Sequence, residues 1–169
     1  PLDLYNTQED TDADAAERAS LALRFATAHV ITGGPGSIVA VEDVGYVLSQ
    51  SVLKALDKKL GIKRYGFYYI PMDECLSRCV LDFSGRPELV WKVSLDLEKV
   101  GEMDTELFHE FFKAFSNEAK CNLHVENLYG KNNHHIIESC FKAFARSLRI
   151  AVEIDKKIKD IIPSSKGVI

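Results

Sequence analysis

The chain has 169 residues, of which 46% are apolar and 27% charged, and this composition is typical of one globular domain or of two small halves that share a core. Its net charge of -4 argues against a nucleic-acid partner, because phosphate neutralisation requires clustered lysine and arginine. No apolar run reaches the roughly 18 residues of a membrane span, and the stretch PLDLYNTQEDTDADAAER is acidic where a signal or transit peptide is basic. We therefore expect a soluble, cytoplasmic protein without membrane contact.

The cysteines predict packing residues in a reducing compartment. Cys75, Cys79, Cys121 and Cys140 lie among apolar residues and form no CxxC pair. A zinc site at Cys75 and Cys79 is an alternative, although their spacing also fits alternate positions of a strand.

The first half of the chain predicts two helices followed by strands. One helix is predicted over 15–30, and another over 41–60, where apolar residues recur at helical spacing until Gly61 stops the helix. Three strand candidates follow, at 64–71, 74–83 and 88–95. The turn SGRP separates the last two strands, which we expect to form an antiparallel pair.

The second half predicts a helix, a strand and a helix. The segment 103–119 starts with an Asp104/Thr105 cap and carries phenylalanines on one face, which indicates a buried helix. A strand is predicted at 121–128, and the longest helix at 133–155. The tail PSSKGVI is typical of a loop.

Two segments show faint similarity to each other. Both 41–56 and 137–148 continue from a glutamate into an amphipathic helix of similar length, with Glu42 aligned to Glu138. The simplest interpretation is an α+β protein of two related halves, roughly 1–85 and 86–169, with helices packed on one face of mixed sheets.

The stretch KNNHHIIES, residues 131–139, places two histidines and a glutamate at the start of the last helix. His134, His135 and Glu138 flank its apolar stripe, and the helix dipole keeps first-turn imidazoles neutral, the form that binds metal. Such a group suits Mn, Fe, Zn or Co, although a solvated polar helix start is the alternative. Three ligands do not fill a six-coordinate ion, so further donors must come from elsewhere in the chain or from another subunit. Candidate donors in the chain are His124, His109 and Glu110.

Three basic residues suit a phosphate group. Arg64, Arg86 and Lys166 lie at strand ends or in loops beside glycine or serine, where guanidinium forks, hydroxyls and backbone amides can bind phosphate together. Taken individually, each of them is interpreted as a surface charge.

Five stretches taken in order resemble the imidazoleglycerol-phosphate dehydratase family, whose members act in histidine biosynthesis. They are IKRYGFYYIPMDE (62–74), LSRCVLDFSGRPEL (76–89), VGEMDTELFHEFFKAF (100–115), LHVENLYGKNNHHIIESCFKAFARSL (123–148) and PSSKGV (163–168). The resemblance covers 41–169 with hardly a gap and makes 1–40 an atypical N-terminal segment. It implies two similar half-domains of the ribosomal protein S5 domain 2-like fold.

The resemblance also implies a manganese-dependent hydro-lyase with two Mn²⁺ ions per subunit, assembled into a shell of 24 subunits. The substrate is a small phosphorylated imidazole, D-erythro-imidazoleglycerol phosphate, which is dehydrated to imidazole-acetol phosphate. A carboxylate removes a proton from an unactivated carbon, and hydroxide then leaves. The implied metal ligands are His134, His135, Glu138, Glu42 and Glu110, with Glu138 and Glu42 also catalytic. The implied substrate-binding residues are Arg64, Arg86, Ser164, Ser165, Lys166 and Lys142.

The chain departs from the family pattern near its N-terminus. The family's first HHxxE motif aligns with IVAVE at 38–42, which keeps Glu42 but lacks both histidines, and the family's earlier GFxDHM segment has no counterpart in 1–40. Apolar side chains cannot replace imidazole ligands. The alternative function is therefore a non-catalytic or metal-deficient homologue that keeps the fold and the assembly.

Overall fold

The structure, a computed structural model, describes residues 38–167 and 169, with only the backbone described for 38–40. The helix predicted over 15–30 lies outside the described residues. No helix in the described part is both long enough and apolar enough to cross a membrane.

Three helices and six strands follow one another along the described chain. The helices are α1 (Ile38–Leu56), α2 (Glu106–Ala119) and α3 (Asn133–Val152). The strands are β1 (Tyr65–Met72), β2 (Cys75–Asp82), β3 (Glu88–Lys92), β4 (Lys99–Val100), β5 (Met103–Asp104) and β6 (Asn122–Tyr129).

The main sheet has four strands in the order β1-β2-β6-β3. β1 and β2 form an antiparallel hairpin in which Met72 pairs with Cys75, so that only Asp73 and Glu74 form the turn. β6 runs antiparallel to β2 and parallel to β3. Together with the helices, this mixed sheet confirms the α+β class.

The predicted antiparallel pairing of 74–83 with 88–95 is wrong, because β6 lies between these two strands. The SGRP turn does not close a hairpin. Ser84 Oγ instead bonds within the turn to Arg86, and the amide of Glu88 donates to the carbonyl of Cys121, just before β6. The parallel pair then needs a crossover connection, which α2 supplies.

The core lies between the sheet and the phenylalanine-rich faces of α2 and α3. Phe112 and Phe141 have ring centroids 4.8 Å apart, and so do Phe115 and Phe144. All four rings are buried, and each such ring buries roughly 150–250 Å². The predicted apolar faces of both helices are therefore confirmed, and they hold α3 against β1 and β2.

Two glycines allow close contacts between elements. A Cβ on Gly66 of β1 would overlap the carbonyl of Ser147, so α3 lies directly on the sheet backbone at this point. A Cβ on Gly45 of α1 would lie 2.7 Å from the carbonyl oxygen of Phe111, so α1 packs closely on α2.

All three predicted helices in the described residues differ from the structure in their bounds, and α3 ends at Val152 rather than at residue 155. α1 ends at Leu56 rather than at residue 60, because Asp57 and Lys59 adopt left-handed backbone conformations before Gly61. α2 begins at Glu106 because Met103–Asp104 pairs with Lys99–Val100 in a small hairpin. The predicted Asp104/Thr105 side-chain cap of α2 is also wrong.

The side chain of Thr105 forms no cap hydrogen bond and instead donates to the carbonyls of Leu97 and Glu98. The hydroxyl thus holds the preceding loop rather than the first turn of the helix. The division of the chain at residues 40 and 85 stays a prediction.

Candidate active site

The histidine pair lies at a well-defined helix start. Asn132 is the N-cap of α3, and its Oδ1 accepts hydrogen bonds from the amides of His134 (2.9 Å) and His135 (3.4 Å). Asn133 is buried beneath them, and its Oδ1 accepts from the amide of Asp96. An N-cap of this type stabilises a helix by about 1 kcal/mol, so the first turn holds both histidines in place.

His134 and Glu138 form one pair of potential metal-ligand donors on the surface of α3. His134 Nε2 lies 3.1 Å from Glu138 Oε2, and the other carboxylate oxygen lies 2.6 Å from Lys142 Nζ. The hydrogen bond from Lys142 lowers the pKa of Glu138 below its ordinary value of 4.5 despite partial burial. The lowered pKa makes the ionised Glu138 carboxylate a weaker base at neutral pH, which favours the role of metal ligand over that of general base.

His135 points to the turn between β1 and β2 rather than to Glu138. Its Nδ1 lies 2.8 Å from Glu74 Oε2, and its Nε2 lies 3.5 Å from Asp73 Oδ2. The hydrogen bond with Glu74 raises the pKa of His135, and the same bond is the largest cause of a strongly lowered pKa at Glu74. No local sequence pattern indicates a role for Glu74, although the residue ends the stretch IKRYGFYYIPMDE.

The residues of this helix start fit a divalent cation. Neighbouring ligand atoms bound at about 2.1 Å from one ion lie about 3 Å apart, as His134 Nε2 and Glu138 Oε2 do. Within the described residues, one further group of potential ligand atoms comes together, from Glu74, Cys75 and His135 within 4.8 Å of one another. Burial raises the pKa of the Cys75 thiol, so this sulfur is not a ready thiolate ligand.

The two predicted ligands from other helices lie apart from this pair. Glu42 is exposed on α1, and Glu110 on α2 is paired with His109 Nδ1 at 2.9 Å. In the part of the chain that the structure describes, neither carboxylate joins His134 and Glu138 in a three-ligand group. Their metal roles stay predictions.

His124 is exposed on β6, on the sheet face away from the helices, where it pairs with Val80 and Val90. The structure thus places this candidate donor on a different surface from the histidine pair.

Segments that carry most of the predicted phosphate-binding residues contact one another at the other end of the sheet. Arg64 Nε and Nη2 bond to the two carboxylate oxygens of Asp82 at 2.7 and 3.2 Å, and Nη1 donates to the carbonyl of Pro163 at 2.9 Å. A Cβ on Gly85 would lie 2.9 Å from the carbonyl carbon of Ile169, so the SGRP turn touches the tail as well. Arg64 therefore joins the sheet to the loop that carries Ser164, Ser165 and Lys166.

The turn that carries Arg86 is also fixed by its neighbours. Its carbonyl accepts hydrogen bonds from Ser84 Oγ at 3.0 Å and from Asn122 Nδ2 at 2.9 Å. Lys142, in contrast, lies beside Glu138 and contacts Met72, so it lies at the same end of α3 as the histidine pair.

The two groups of predicted site residues lie at opposite ends of α3. The amide of Arg64 donates to the carbonyl of Ala151 near the C-terminus of α3, whereas Glu138 lies in its first turns. At 1.5 Å per residue, these positions on the helix are about 20 Å apart. One chain therefore presents a candidate metal centre and a candidate phosphate site at separate places.

Comparisons with known proteins agree with the sequence resemblance. The family model described as imidazoleglycerol-phosphate dehydratase matches residues 36–148. A protein of that name from Hahella chejuensis is 53% identical over 127 residues, which are 75% of this chain and 64% of the relative. One from Phenylobacterium zucineum is 56% identical over 129 residues, 76% of this chain and 66% of the relative.

A solved structure is also similar. The crystal structure of imidazoleglycerol-phosphate dehydratase from Staphylococcus aureus superposes with a TM-score of 0.70 at 36% identity, covering 90% of each chain. The sequence matches span just under two thirds of the curated relatives' length. The match covers most of this chain, and the chain therefore belongs to the imidazoleglycerol-phosphate dehydratase family.

Proposed function

We propose that this protein is a manganese-dependent lyase that dehydrates D-erythro-imidazoleglycerol phosphate to imidazole-acetol phosphate in histidine biosynthesis. The observation that carries the proposal is the His134–Glu138 donor pair, held at the start of α3 in a chain of this family. The intact phosphate-binding candidates at the other end of the sheet support it. The four buried free thiols support a cytoplasmic location.

His134, His135 and Glu138 are the residues of α3 that would hold Mn²⁺. When bound, the metal would supply Lewis-acid stabilisation of negative charge on the imidazole ring of the substrate. Glu138 already pairs with His134 and Lys142, so its carboxylate is committed to binding. Glu42, exposed on α1, is therefore the better candidate for removal of a proton from the substrate carbon.

The phosphate of the substrate would bind at the Arg64 end of the sheet. Arg86 and Lys166 supply positive charge there, and the hydroxyls of Ser164 and Ser165 supply further donors. Arg64 is bonded to Asp82 and Pro163 within the chain, so we assign it the additional role of holding the loop in place.

The separation of the two groups supports self-association. A substrate with only three carbons between its ring and its phosphate is much shorter than the distance of about 20 Å along α3. A metal-bound ring and a bound phosphate must therefore use residues from two copies of the chain. We propose a closed homo-oligomer, of 24 subunits as the family resemblance implies, with active sites shared between subunits.

One experiment tests the catalytic proposal and the assembly together. Purified protein is loaded with Mn²⁺ and desalted, its metal content is measured by elemental analysis, and the mass of the assembly is recorded on the same sample. Product formation from imidazoleglycerol phosphate is then measured. We expect about two ions per chain, a large assembly and turnover. The family resemblance implies two metal ions per subunit, and the His134–Glu138 pair needs further ligands from another subunit. An assembly without metal and without turnover would contradict the proposal.

A second candidate function is a non-catalytic homologue that keeps the fold and the assembly. The stretch IVAVE at 38–42 favours it, because this chain has apolar residues where the family's first HHxxE motif has two histidines. Such a protein would still bind inorganic phosphate or the substrate at the Arg64 end, as isothermal titration calorimetry would show. Metal-dependent turnover by the pure protein would exclude this candidate.

A further inference from the structure

Glu74 occupies an unusual place between two elements of the fold. It lies in the two-residue turn of the β1–β2 hairpin, and its carboxylate reaches the chain just before α3. Glu74 Oε1 accepts hydrogen bonds from the amides of Lys131 (3.2 Å) and Asn132 (2.8 Å). One carboxylate oxygen thus fixes the backbone that leads into the histidine pair.

The other carboxylate oxygen of Glu74 holds the imidazole ring of His135 in place. Glu74 Oε2 lies 2.8 Å from His135 Nδ1. An ionised carboxylate can only accept a hydrogen bond, so His135 Nδ1 must be the donor. The neutral ring is thereby held in the tautomer that carries its proton on Nδ1. Nε2 keeps its lone pair, and the exposed carboxylate of Asp73 lies 3.5 Å from it.

We propose that Glu74 is a positioning residue for the metal centre, which selects the tautomer and the orientation of His135 so that Nε2 faces the ion. Metal-bound histidines commonly donate their second ring N–H to a carboxylate in this way. The inference rests on the proposed function, because it requires His135 to bind metal.

The group of Glu74, Cys75 and His135 could also be read as a metal site of its own. Its geometry argues for hydrogen bonding instead. His135 Nδ1 and the Cys75 thiol, whose Sγ lies 3.3 Å from Oε1, both donate to the Glu74 carboxylate, and the thiol is buried. An ion placed there would displace both bonds.

The variant Glu74→Gln separates positioning from simple support of the loop. The amide oxygen of glutamine can still accept from the amides of Lys131 and Asn132, but its NH₂ group would face His135 Nδ1. The ring must then accept at Nδ1 and carry its proton on Nε2, the nitrogen needed for the metal. Glu88→Gln, at an exposed glutamate in β3, is the matched control.

Two measurements compare wild type, Glu74→Gln and Glu88→Gln. Solid-state ¹⁵N NMR of sedimented, histidine-labelled, metal-free protein at alkaline pH reports the tautomer, with a His135→Gln sample to identify the signal. Titration with Mn²⁺, followed by the EPR signal of the free ion, reports affinity.

We expect His135 to carry its proton on Nδ1 in wild type and in Glu88→Gln, and on Nε2 in Glu74→Gln. The Mn²⁺ affinity of Glu74→Gln should fall about 10- to 100-fold, whereas that of Glu88→Gln should not change. An unchanged tautomer, or equal Mn²⁺ affinities for Glu74→Gln and wild type, would overturn the role of Glu74 alone. A wild-type protein that binds no Mn²⁺ would overturn the metal-dependent function and this inference together.

Discussion

Ser77 Oγ and Ser139 Oγ are hydrogen-bonded at 2.7 Å in the buried interface between β2 and α3. Asn127 Nδ2 on β6 also donates to Ser77 Oγ, at 3.0 Å, and Ser139 Oγ bonds to the carbonyl of Ile136. Ser139 directly follows Glu138. The buried polar contact therefore sets the rotation and the height of α3 on the sheet at the point where the helix presents the metal-binding candidates.

We expect Ser77→Ala and Ser139→Ala each to lower the free energy of unfolding by about 1–2 kcal/mol, because each leaves a buried polar partner with fewer bonds. The double variant should cost less than the sum of the two. Urea unfolding of all four proteins in a double-mutant cycle measures the coupling. Ser51→Ala, at an exposed serine of α1, is the control and should change stability little. Full additivity would show that the two hydroxyls do not interact.

Gly66→Ala should be strongly destabilising, because a Cβ there would overlap the carbonyl of Ser147 and push α3 away from the sheet. We expect a loss of more than about 3 kcal/mol, beyond the usual cost of overpacking. Gly101→Ala is the comparison, since a Cβ there meets open space and only the positive φ of 61° opposes it, for about 1 kcal/mol. Thermal unfolding of both variants tests the difference, and similar melting temperatures would contradict it.

His134→Gln and Glu138→Gln should each weaken Mn²⁺ binding, by at least about 10-fold, because each removes one donor from the 3.1 Å pair. Neither side chain is part of the core, so the melting temperature of the metal-free protein should change little. Metal content after desalting measures the loss. His124→Gln is the matched control, since that histidine lies on the opposite face of the sheet. An equal loss of metal from His124→Gln and His134→Gln would contradict the assignment of the metal site to the start of α3.

Alkaline pH should destabilise the fold through its buried thiols. Burial raises the pKa of Cys121 and of Cys140 from 9.0 to about 12, and it raises the pKa of Cys79 further. Above pH 9 the unfolded chain therefore loses these protons while the folded chain keeps them, so stability falls as pH rises. Each thiol contributes up to about 1.4 kcal/mol per pH unit.

Urea unfolding at about pH 8 and about pH 10 measures how the free energy of unfolding changes with pH. This pH interval includes the thiol pKa of the unfolded chain. Cys140→Ala should reduce the pH dependence by one proton. An identical slope for Cys140→Ala and wild type would show that this thiol is not protected by the fold.

Phe67→Asp should reduce the size of the assembly. Phe67 is 64% exposed on the sheet face away from the helices, beside Tyr65, Tyr69 and Val80, which are also exposed. An apolar face of this kind is a candidate interface with a second copy of the chain. Native mass spectrometry of Phe67→Asp and of Leu97→Asp, an exposed loop control, measures the change. Unchanged assembly of Phe67→Asp would place the interface elsewhere.

The periodic parts of the fold could be predicted from the sequence, because their local pattern matches the face that they bury. Phe141, Phe144 and Leu148 repeat at helical spacing and are buried as expected. The order of the strands could not be predicted in this way. SGRP has the residues of a tight turn, but β2 buries its long edge against β6, a strand that follows some forty residues later.

The candidate site divides along the same line. His134 and Glu138 are one helical turn apart, so their spacing alone indicates that they meet. Glu74 is 61 residues from His135, and only the hairpin that bends back over the start of α3 brings the two together. A contact between distant segments leaves no periodic signal, which is why Glu74 had no assigned role.

The parallel pairing of β3 with β6 also bears on how the protein folds. β1 and β2 are joined by two residues and can pair soon after the chain begins to collapse, whereas β3 can reach β6 only after α2 has crossed over. Closing such a loop costs entropy before any contact repays it. We therefore expect the β1–β2 hairpin to form early. The other backbone edge of β2 then stays unpaired until β6 pairs with it. During that interval this edge is open to pairing with another molecule.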